Sequence, residues 1–430
     1  MNSICKSDWF EPVPNTWSVQ RMKNIMTPKE GRSSDGNEEL LSVTIQNGVV
    51  KRSQYLDDDD GGSRADSLVG YKIVHRDDLV NNIMKMSFRC LGVSPHDGIV
   101  SPAYSVFEIN REKVDPNYLN YQLRIDRYVY EYRKLSKGIQ ESRMRLYDDY
   151  FLSMKVIVPS IEEQKLISSY LDKKTNQIDS LVEKFQKKIQ LLKKQRTSLI
   201  NHYVTKGLDP NVEMKDSGVE WIGEIPKHWE VTRLKFCSTI VNGFAFKSDD
   251  FELDNEIPII RIGDVKTPFD LNNCVKVTKE IYEKNKDFQV LRGDILVGMT
   301  GGTIGKSALY DLEEVALLNQ RVCIFRSLVN SDQNFLSIYM NSKLFKEQIT
   351  LNSDGGGQPN IGREELMNFD IFLPPLEEQI KIFAHLSSRT QKYQSLIDRE
   401  HSRISILLEY RQSLISSVVT GKVRVTEDMI

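Results

Sequence analysis

The sequence lacks long apolar runs, closely spaced cysteines and a large net charge, and each absence argues against a class of protein. No run of about 18 or more apolar residues occurs in the 430 residues, so we expect no membrane-spanning helix. The cysteines never stand in C-x-x-C and lie far apart, which favours free thiols over a zinc knuckle or a disulfide framework. The segment from Met1 to Lys6 lacks a signal peptide's charged and apolar regions, and we expect a cytoplasmic protein. A formal charge of −2 gives no overall attraction for nucleic acid.

A tandem repeat determines the organisation of the chain. At a constant offset, two segments share six residues: Trp9, Pro14, Trp17, Val19, Arg21 and Lys23 match Trp221, Pro226, Trp229, Val231, Arg233 and Lys235. A second pair of segments starts with the Glu-Glu-Gln that ends at Gln164 and with the one that ends at Gln379. Two tryptophans that match at one offset are hard to obtain by chance. The chain is therefore predicted to be a duplication of a mixed α/β unit followed by a helix.

Each repeat ends in a long stretch with a heptad pattern. Proline followed by Glu-Glu suits a helix start, because carboxylates in the first turn complement the helix dipole. A helix over roughly 161–205 is predicted in the first repeat, and the second repeat supplies a matching one. The predicted coiled-coil seam consists of Leu171, Ile178, Val182, Phe185, Ile189, Leu192, Leu199, Leu386, Ile397, Ile404, Leu407 and Leu414. Glu400, Arg196 and Arg411 also fall in the pattern and are poor core residues.

The expected fold class is α+β. Two mixed α/β domains would be joined by two long helices that form an antiparallel coiled coil, in a tandem pseudo-two-fold repeat. We predict a first domain over 1–157, a central helix over 158–208, a second domain over 209–372 and a distal helix over 373–430. Two inverted domains at a fixed separation suit an object with two half-sites, of which DNA is the commonest.

No catalytic constellation is visible in the sequence. The glycine-rich segment from Gly298 to Ser307 misses the P-loop spacing, because Thr300 stands where the first glycine is needed, and a glycine hairpin is favoured. Asp115-Pro-Asn-Tyr118 resembles the amino-methyltransferase loop, but no glycine-rich cofactor motif accompanies it, and a helix cap is favoured. The histidines have no metal-ligand spacing. We therefore predict a chain without catalytic residues or a metal site.

The charge is divided unevenly between the two halves. Residues 1–215 carry a balance of +4 and the remaining residues a balance of −6. Residues 111–145 combine nine basic groups with five tyrosines, which suits either contact with phosphates and bases or a solvated helix face with a tyrosine-rich core side. Both interpretations stay open at this point.

Together these segments resemble a known family, the specificity (S) subunits of type I restriction–modification enzymes. The resemblance rests on the two W-x-x-x-x-P-x-x-W-x-V-x-R-x-K segments, on the two P-x-[IL]-E-E-Q helix starts, and on phrases typical of target-recognition domains at 293–306, 318–322 and 99–104. It covers essentially the whole chain. It implies that each variable domain reads one half of a bipartite, asymmetric target in double-stranded DNA.

The resemblance also implies partners and cofactors. The helices would set the spacing and dock two methyltransferase (M) subunits, which translocase/nuclease (R) subunits would join. This chain would bind no cofactor, whereas S-adenosylmethionine, ATP and Mg would be held by partner subunits. One alternative is a coiled-coil scaffold that does not bind DNA, and another is a P-loop enzyme using the segment from Gly301 to Ser307.

Candidate DNA contacts follow from the resemblance and from side-chain chemistry. Arginine, glutamine and asparagine can pair bidentately with base edges. In the second repeat the candidates are Thr300, Thr303, Lys306, Asn319, Gln320, Arg321, Gln358, Asn360 and Arg363. In the first repeat they are Arg89, Ser101, Tyr104, Lys137, Gln140, Arg143 and Arg145.

Overall fold

A computed structural model describes residues 13–54, 67–138, 144–220, 222–251, 256–353 and 359–430. By internal packing the chain divides into two units. The first contains the residues up to Phe185 together with Ser402–Ile430, and the second contains Gln186–His401. Each unit is described by itself.

The first unit combines short antiparallel sheets with helices. Its strands are β1 (Ser18–Arg21), β2 (Met26–Pro28), β3 (Leu41–Thr44), β4 (Gly48–Lys51), β5 (Lys72–Val74), β6 (Leu79–Asn82), β7 (Leu91–Val93), β8 (Gly98–Val100), β9 (Tyr104–Ile109) and β10 (Lys155–Val158). Its helices are α1 (Pro116–Leu123), α2 (Asp126–Leu135), α3 (Asp148–Ser153), the first part of α4 (Ile161–Lys206) and the last part of α9 (Leu376–Val419). The four-stranded sheet has the order β2-β9-β6-β7, and β1 pairs with β10, β3 with β4 and β5 with β8.

The second unit repeats this plan with additions. Its strands are β11 (Met214–Asp216), β12 (Glu224–Pro226), β13 (Glu230–Arg233), β14 (Ser238–Asn242), β15 (Ile257–Ile260), β16 (Lys276–Val277), β17 (Gln289–Val290), β18 (Ile295–Gly298), β19 (Ser307–Leu309), β20 (Ala316–Leu318), β21 (Val322–Ser327) and β22 (Asp370–Leu373). Its helices are the last part of α4, α5 (Lys279–Lys284), α6 (Gln333–Met340), α7 (Lys343–Asn352), α8 (Arg363–Met367) and the first part of α9 (Leu376–Val419). Two four-stranded sheets have the orders β14-β21-β18-β19 and β16-β15-β20-β17.

Strand pairing confirms the predicted duplication. The repeated Trp-x-Val-x-Arg segments form β1 and β13, and each pairs antiparallel with the strand that leads into a long helix, β10 or β22. The hairpin β6–β7 has its counterpart in β18–β19, and β9 has its counterpart in β21. Trp17 and Trp229 are both buried in the core of their unit. The matched residues thus build the same scaffold twice.

Late in each repeat the sequence also predicts a single shorter helical stretch, and the structure forms a pair of helices there instead. The first, expected from Pro116 to about Lys134, is interrupted at Ile125, whose extended backbone places its side chain in the core. The second, expected over 334–348, is interrupted before Ser342, whose hydroxyl caps α7 by accepting the N–H of Phe345. The buried Ile125 therefore separates α1 from α2, and the capping Ser342 separates α6 from α7.

The two long helices pair antiparallel, as predicted. In the first unit Arg411 bonds Asp179 at 3.0 Å, and the guanidinium of Arg403 lies 5.7 Å from the ring centre of Phe185. Contacts further along α4 are therefore made with residues that come earlier in α9, which is the antiparallel arrangement. In the second unit the ammonium of Lys188 lies 2.9 Å from Glu400. The predicted relation of the repeats by a pseudo-two-fold axis stays a prediction.

The seam of the helix pair accommodates the polar residues of the heptad. Each predicted seam residue named above is buried or half-buried. Glu400 is fully buried, and its pairing with Lys188 explains how a carboxylate is tolerated there. Arg196 donates to Gln394 at 2.6 Å, and Arg411 contacts Asp179, which occupies the equivalent position in the other repeat. The same interhelical contact therefore occurs in both units.

The glutamine of each Glu-Glu-Gln motif anchors the start of a long helix. Gln164 is fully buried, accepts the N–H of Asp115 at 2.8 Å, and donates to the carbonyls of Lys113 and Pro159 at 3.1 and 2.9 Å. Gln379 makes the equivalent bonds to Asp332, Asn330 and Pro374 at 2.8, 3.2 and 2.8 Å. One amide therefore ties the helix to the turn before α1 or α6. This is the physical reason for glutamine in the motif.

Candidate nucleic-acid interface

The glycine-rich segment of the second unit is a β-hairpin. Strands β18 and β19 pair antiparallel, and the N–H groups of Gly298 and Gly305 bond the carbonyls of Lys306 and Gly298, each at 2.9 Å. Gly305 has φ +71°, which glycine adopts without strain. A P-loop runs from a strand into a helix, whereas this loop returns into a strand. The loop therefore presents Thr300, Thr303 and Lys306 on a hairpin.

Two further segments pack against this hairpin loop. Thr300 forms a bridge with Asn360, the N–H of Gly301 bonds the carbonyl of Pro359 at 2.8 Å, and that of Ile361 bonds Met299 at 3.0 Å. On the other side, the N–H of Met299 bonds the carbonyl of Arg321 at 3.0 Å. Residues that are distant in sequence thus meet around 299–301.

The structure brings most of the second-repeat candidates into this cluster. Its members, which we call the hairpin cluster, are Thr300, Thr303, Lys306, Asn319, Gln320, Arg321, Asn360 and Arg363. Lys306, Gln320, Arg321, Asn360 and Arg363 are exposed, and the other three are half-buried. Among the described residues, the side chains of Lys306, Arg321 and Arg363 make no ion pair. Gln358 lies outside the described residues.

Phe244 belongs to the same surface and was missed by the sequence reasoning. It bridges Asn319, its N–H bonds the carbonyl of Leu318 at 2.9 Å, and its ring is 39% exposed. A Cβ at Gly243 would overlap the carbonyl of Asn319, so glycine permits this close approach. The Gly-Phe-Ala-Phe sequence after β14 was the available signal, because a glycine at a strand end can mark a close approach of another backbone.

In the first unit the candidates form a smaller group. Lys137 and Arg145 exchange both backbone hydrogen bonds at 2.9 Å, and the ammonium of Lys137 lies 5.2 Å from the ring centre of Tyr150. The N–H of Leu146 bonds the carbonyl of Ile83 at 2.9 Å, which is the counterpart of the Ile361–Met299 bond. The loop after α2 therefore meets the β6–β7 hairpin as its equivalent does in the second unit.

A cavity of about 360 Å³ extends this region of the first unit. Tyr104 and Ile83 line it, together with Lys72, Tyr147 and Asp148. Tyr104 follows Ser101 in a turn closed by a 2.9 Å bond. Burial raises the pKa of Tyr104, so its phenol stays neutral and can donate a hydrogen bond. Gln140 and Arg143 lie outside the described residues.

The tyrosines between residues 111 and 145 have mostly a core role. Tyr118, Tyr128 and Tyr132 are buried in the first unit, and burial raises the pKa of each. Tyr121 is half-buried and donates to Asp172 at 2.7 Å, whereas Tyr130 is 68% exposed. Of the two interpretations left open by the composition, the structure supports a tyrosine-rich core side for this stretch.

Arg89 lies apart from the other first-repeat candidates. It follows a helical turn in the left-handed conformation with φ 65°, and its guanidinium pairs with Asp126. It lines a different cavity, together with Arg124 on the segment between α1 and α2 and with Arg411 on α9. Sequence spacing did not indicate this neighbourhood, because the three arginines come from separate parts of the chain.

Among the described residues, no group of three or more His, Cys, Asp or Glu side chains is placed to hold a metal ion. None of the helices in the described ranges combines the length and the apolar character that a bilayer crossing requires.

Comparison with known proteins identifies relatives over much of the chain. Residues 226–402 match the family described as the type I restriction modification DNA specificity domain. The chain is 29% identical over 335 residues to the type I restriction enzyme MjaVIII specificity subunit of Methanocaldococcus jannaschii, covering 76% of this chain and 75% of that protein. It is also 29% identical over 212 residues to the EcoBI specificity subunit of Escherichia coli, covering 49% of this chain and 42% of that protein.

A solved structure shares the fold over nearly the whole chain. That structure concerns complex assembly and conformational transition of the type I R-M system, and its comparison with this chain gives a TM-score of 0.68. The match covers 96% of this chain and 100% of that one at 16% sequence identity. At that identity the likeness shows the fold.

Proposed function

We propose that the chain is the sequence-specific DNA-recognition subunit of a type I restriction–modification complex, because residues 226–402 match the specificity domain of that family and a specificity subunit is 29% identical over 76% of this chain. Each unit would read one half of a bipartite, asymmetric target in double-stranded DNA. The chain itself would perform no catalysis. Methylation with S-adenosylmethionine and restriction with ATP and Mg would belong to the M and R subunits.

The hairpin cluster of the second unit carries the proposal. Three separate segments converge there, and they expose arginine, glutamine and asparagine, which are the side chains that pair bidentately with guanine or adenine. Lys306 adds a cation for phosphate contact, and Phe244 adds an apolar surface. The equivalent loops of the first unit, with Lys137 and Arg145, support a second reading surface of different content.

Some residues match between the two repeats although they are exposed. These exposed matches support the docking of two identical partners, one on each repeat. Buried matches such as Trp17 and Trp229 are required by the fold, whereas exposed matches are not. Val19 and Val231 occupy the same position in β1 and β13 and are 43% and 45% exposed. Arg21 and Arg233 lie two residues further along each strand and are also exposed. The same apolar and basic surface therefore occurs once per unit.

The long helices add a second matched apolar position. Leu191 on α4 and Ile406 on α9 are equivalent in the repeat, and they are 56% and 64% exposed. Exposed apolar side chains at equivalent positions suit a protein interface that is used twice. We therefore assign one methyltransferase subunit to each unit.

The experiment is methylation and DNA binding by the chain co-expressed with its methyltransferase subunit. Arg321→Gln should relax the base preference at one position of the target, with a loss of about tenfold in discrimination. Lys306→Gln should weaken binding to all sequences and lower the salt dependence by about one phosphate contact. Lys279→Gln, on the exposed start of α5, is the matched control and should change neither.

Two results would decide against the proposal. If the complex binds all duplexes equally and methylates no defined bipartite sequence, the chain does not read DNA, and the alternative of a coiled-coil scaffold is preferred. If Lys279→Gln weakens binding as much as Lys306→Gln does, the hairpin cluster is not the reading surface.

A further inference from the structure

A polar cavity of about 310 Å³ in the first unit contains three guanidinium groups. It lies between α1 and the helix pair of that unit. Its lining includes Arg89, Arg124, Arg411, Asn117, Asn120 and Asp172. The volume lies within the range of small-ligand sites. The lining itself holds three cations and one carboxylate, Asp172, and two further carboxylates contact Arg89 and Arg411 from outside the lining.

Arg124 is held in place by the protein. Its guanidinium donates to the carbonyls of Leu91, Ile45 and Gln46, the last two at 2.8 and 2.7 Å. Burial, and then the nearby charge of Arg89, lower the pKa of Arg124 to about 10, and Arg411 acts in the same direction. Arg124 therefore lies close enough to Arg89 and to Arg411 for their charges to repel its own. An anion between them would relieve this repulsion.

The backbone of Arg89 indicates that its side chain is required here. The β6–β7 and β18–β19 hairpins have loops of equal length, and the residue equivalent to Arg89 is Gly305. Both have the left-handed conformation, with φ 65° and φ 71°. Glycine adopts it freely, whereas arginine does so at a cost. The first unit thus carries a charged side chain where the fold alone would favour glycine.

The second unit does not repeat the cluster. Asn341 follows α6 where Arg124 follows α1, so two of the three cations are absent at the equivalent positions. Only Arg411 has a basic counterpart, Arg196, which makes the equivalent interhelical contact. The contact between the helices therefore does not require the cluster, and the cluster is specific to the first unit.

We propose that this cavity binds a phosphate group through Arg89, Arg124 and Arg411. A guanidinium has five N–H groups, and each of the three keeps some beyond those in the bonds described here, which can donate to phosphate oxygens; the amide of Asn117 adds a donor at the exposed edge. Arg89 and Arg411 also pair with Asp126 and Asp179, and these contacts hold the two side chains in position. The phosphate is carried either by the DNA backbone, which rests on the proposed function, or by a free phosphate-bearing small molecule.

Calorimetry on the full chain tests the proposal with sodium phosphate as the probe and sodium chloride at matched ionic strength as the reference. The variants are Arg411→Gln and Arg89→Gly, and Arg196→Gln is the matched control. Arg89→Gly installs the residue of the second unit and relieves backbone strain, so it keeps the fold. We expect phosphate to bind the wild type and the Arg196→Gln variant. The other two variants should bind at least about tenfold more weakly, a factor that corresponds to about 1.4 kcal/mol.

A second measurement identifies the source of the phosphate. Binding of a fluorescent duplex is followed over a salt series for the same proteins. If the phosphate belongs to DNA, the Arg411→Gln variant loses about 0.9 from the salt slope, whereas the Arg196→Gln variant does not. An unchanged slope together with lost phosphate binding assigns the cavity to a free ligand.

The proposal is overturned if the wild type gives the same heats with phosphate as with chloride, or if all four proteins bind phosphate equally. Its failure is distinct from a failure of the proposed function. A chain that binds phosphate here but has no preference for any DNA sequence would refute the DNA-reading role and keep the cavity assignment.

Discussion

The buried glutamines of the Glu-Glu-Gln motifs offer a prediction in which the two halves of the chain serve as controls for each other. Gln164→Met keeps the length and approximate volume of the side chain but removes its amide. The substitution leaves the N–H of Asp115 and the carbonyls of Lys113 and Pro159 without the bonds of 2.8, 3.1 and 2.9 Å that Gln164 makes. At about 1 kcal/mol for each bond, we expect a loss of about 3 kcal/mol in the stability of the first unit.

Hydrogen exchange on the full chain measures this loss locally. In the Gln164→Met variant the amide of Asp115 should exchange faster by about two orders of magnitude, which corresponds to about 3 kcal/mol. The amide of Asp332, which Gln379 accepts in the second unit, should be unaffected. Gln379→Met should give the reverse pattern.

The control is Glu162→Gln, which changes the exposed neighbour in the same motif. It should leave both amides protected. If Gln164→Met exchanges no faster at Asp115 than Glu162→Gln does, the glutamine does not anchor the helix start. If Asp115 and Asp332 respond together to one substitution, the two repeats do not use their glutamines independently.

Three further predictions concern the helix pair and the buried thiols. Lys188→Met removes the ammonium that pairs with the buried Glu400, and the free energy of unfolding measured in urea should fall by about 3 kcal/mol. Adding Glu400→Leu should recover most of this loss. Equal unfolding curves for the single and double variants would contradict this prediction. Inserting seven residues after Phe185 and seven before Glu400 keeps the heptad and adds about 10 Å of helix, which corresponds to about three base pairs of DNA. The methylated target should therefore keep its two half-sites and gain a longer spacer between them. An unchanged spacer would contradict the spacing role of the helices. Burial raises the pKa of Cys237 to about 12 and of Cys274 to about 11 from an ordinary value of 9.0. As the pH rises, these thiols therefore ionise first in the unfolded chain. Their stabilising contribution is complete below pH 9 and is lost as the pH rises toward 12. The wild type should therefore lose more stability than Cys237→Ala/Cys274→Ala between about pH 8 and about pH 11, and equal losses would contradict the assignment.

The repeat and the long helices were predictable because their signals are periodic or duplicated. The heptad required a partner helix of similar length, and the other repeat supplied it. The direction of pairing followed from the same reasoning, and the contacts of Asp179 with Arg411 and of Lys188 with Glu400 agree with it. What the pattern could not show is how Glu400 is tolerated, because its partner lies on the other helix.

The hairpin cluster was predictable in part. The typical phrases around Thr300 and Asn319 identified two of its segments, since they are short and local. Phe244 was missed because only the fold brings the end of β14 against the turn before β21. Its exposed ring is a property of tertiary packing, which the local sequence does not specify.

The arginine cavity of the first unit was not predictable from sequence at all. Arg89 was selected as a DNA contact, Arg411 as a poor seam residue, and Arg124 only as part of a basic stretch. The fold of the first unit places all three at one cavity. Convergence of residues from a loop, a helix junction and a distant helix leaves no pattern of spacing that could be counted along the chain.

The central claim is that each unit reads one half of a single bipartite DNA target, and exchanging one recognition domain tests it most directly. Residues 209–372 would be replaced by the corresponding domain of another specificity subunit, with the methyltransferase subunit unchanged, and methylated DNA from the host would be sequenced. We predict that one half of the methylated sequence changes while the other half is kept. If both halves change, if neither does, or if no defined sequence is methylated by the wild-type complex, the claim is wrong.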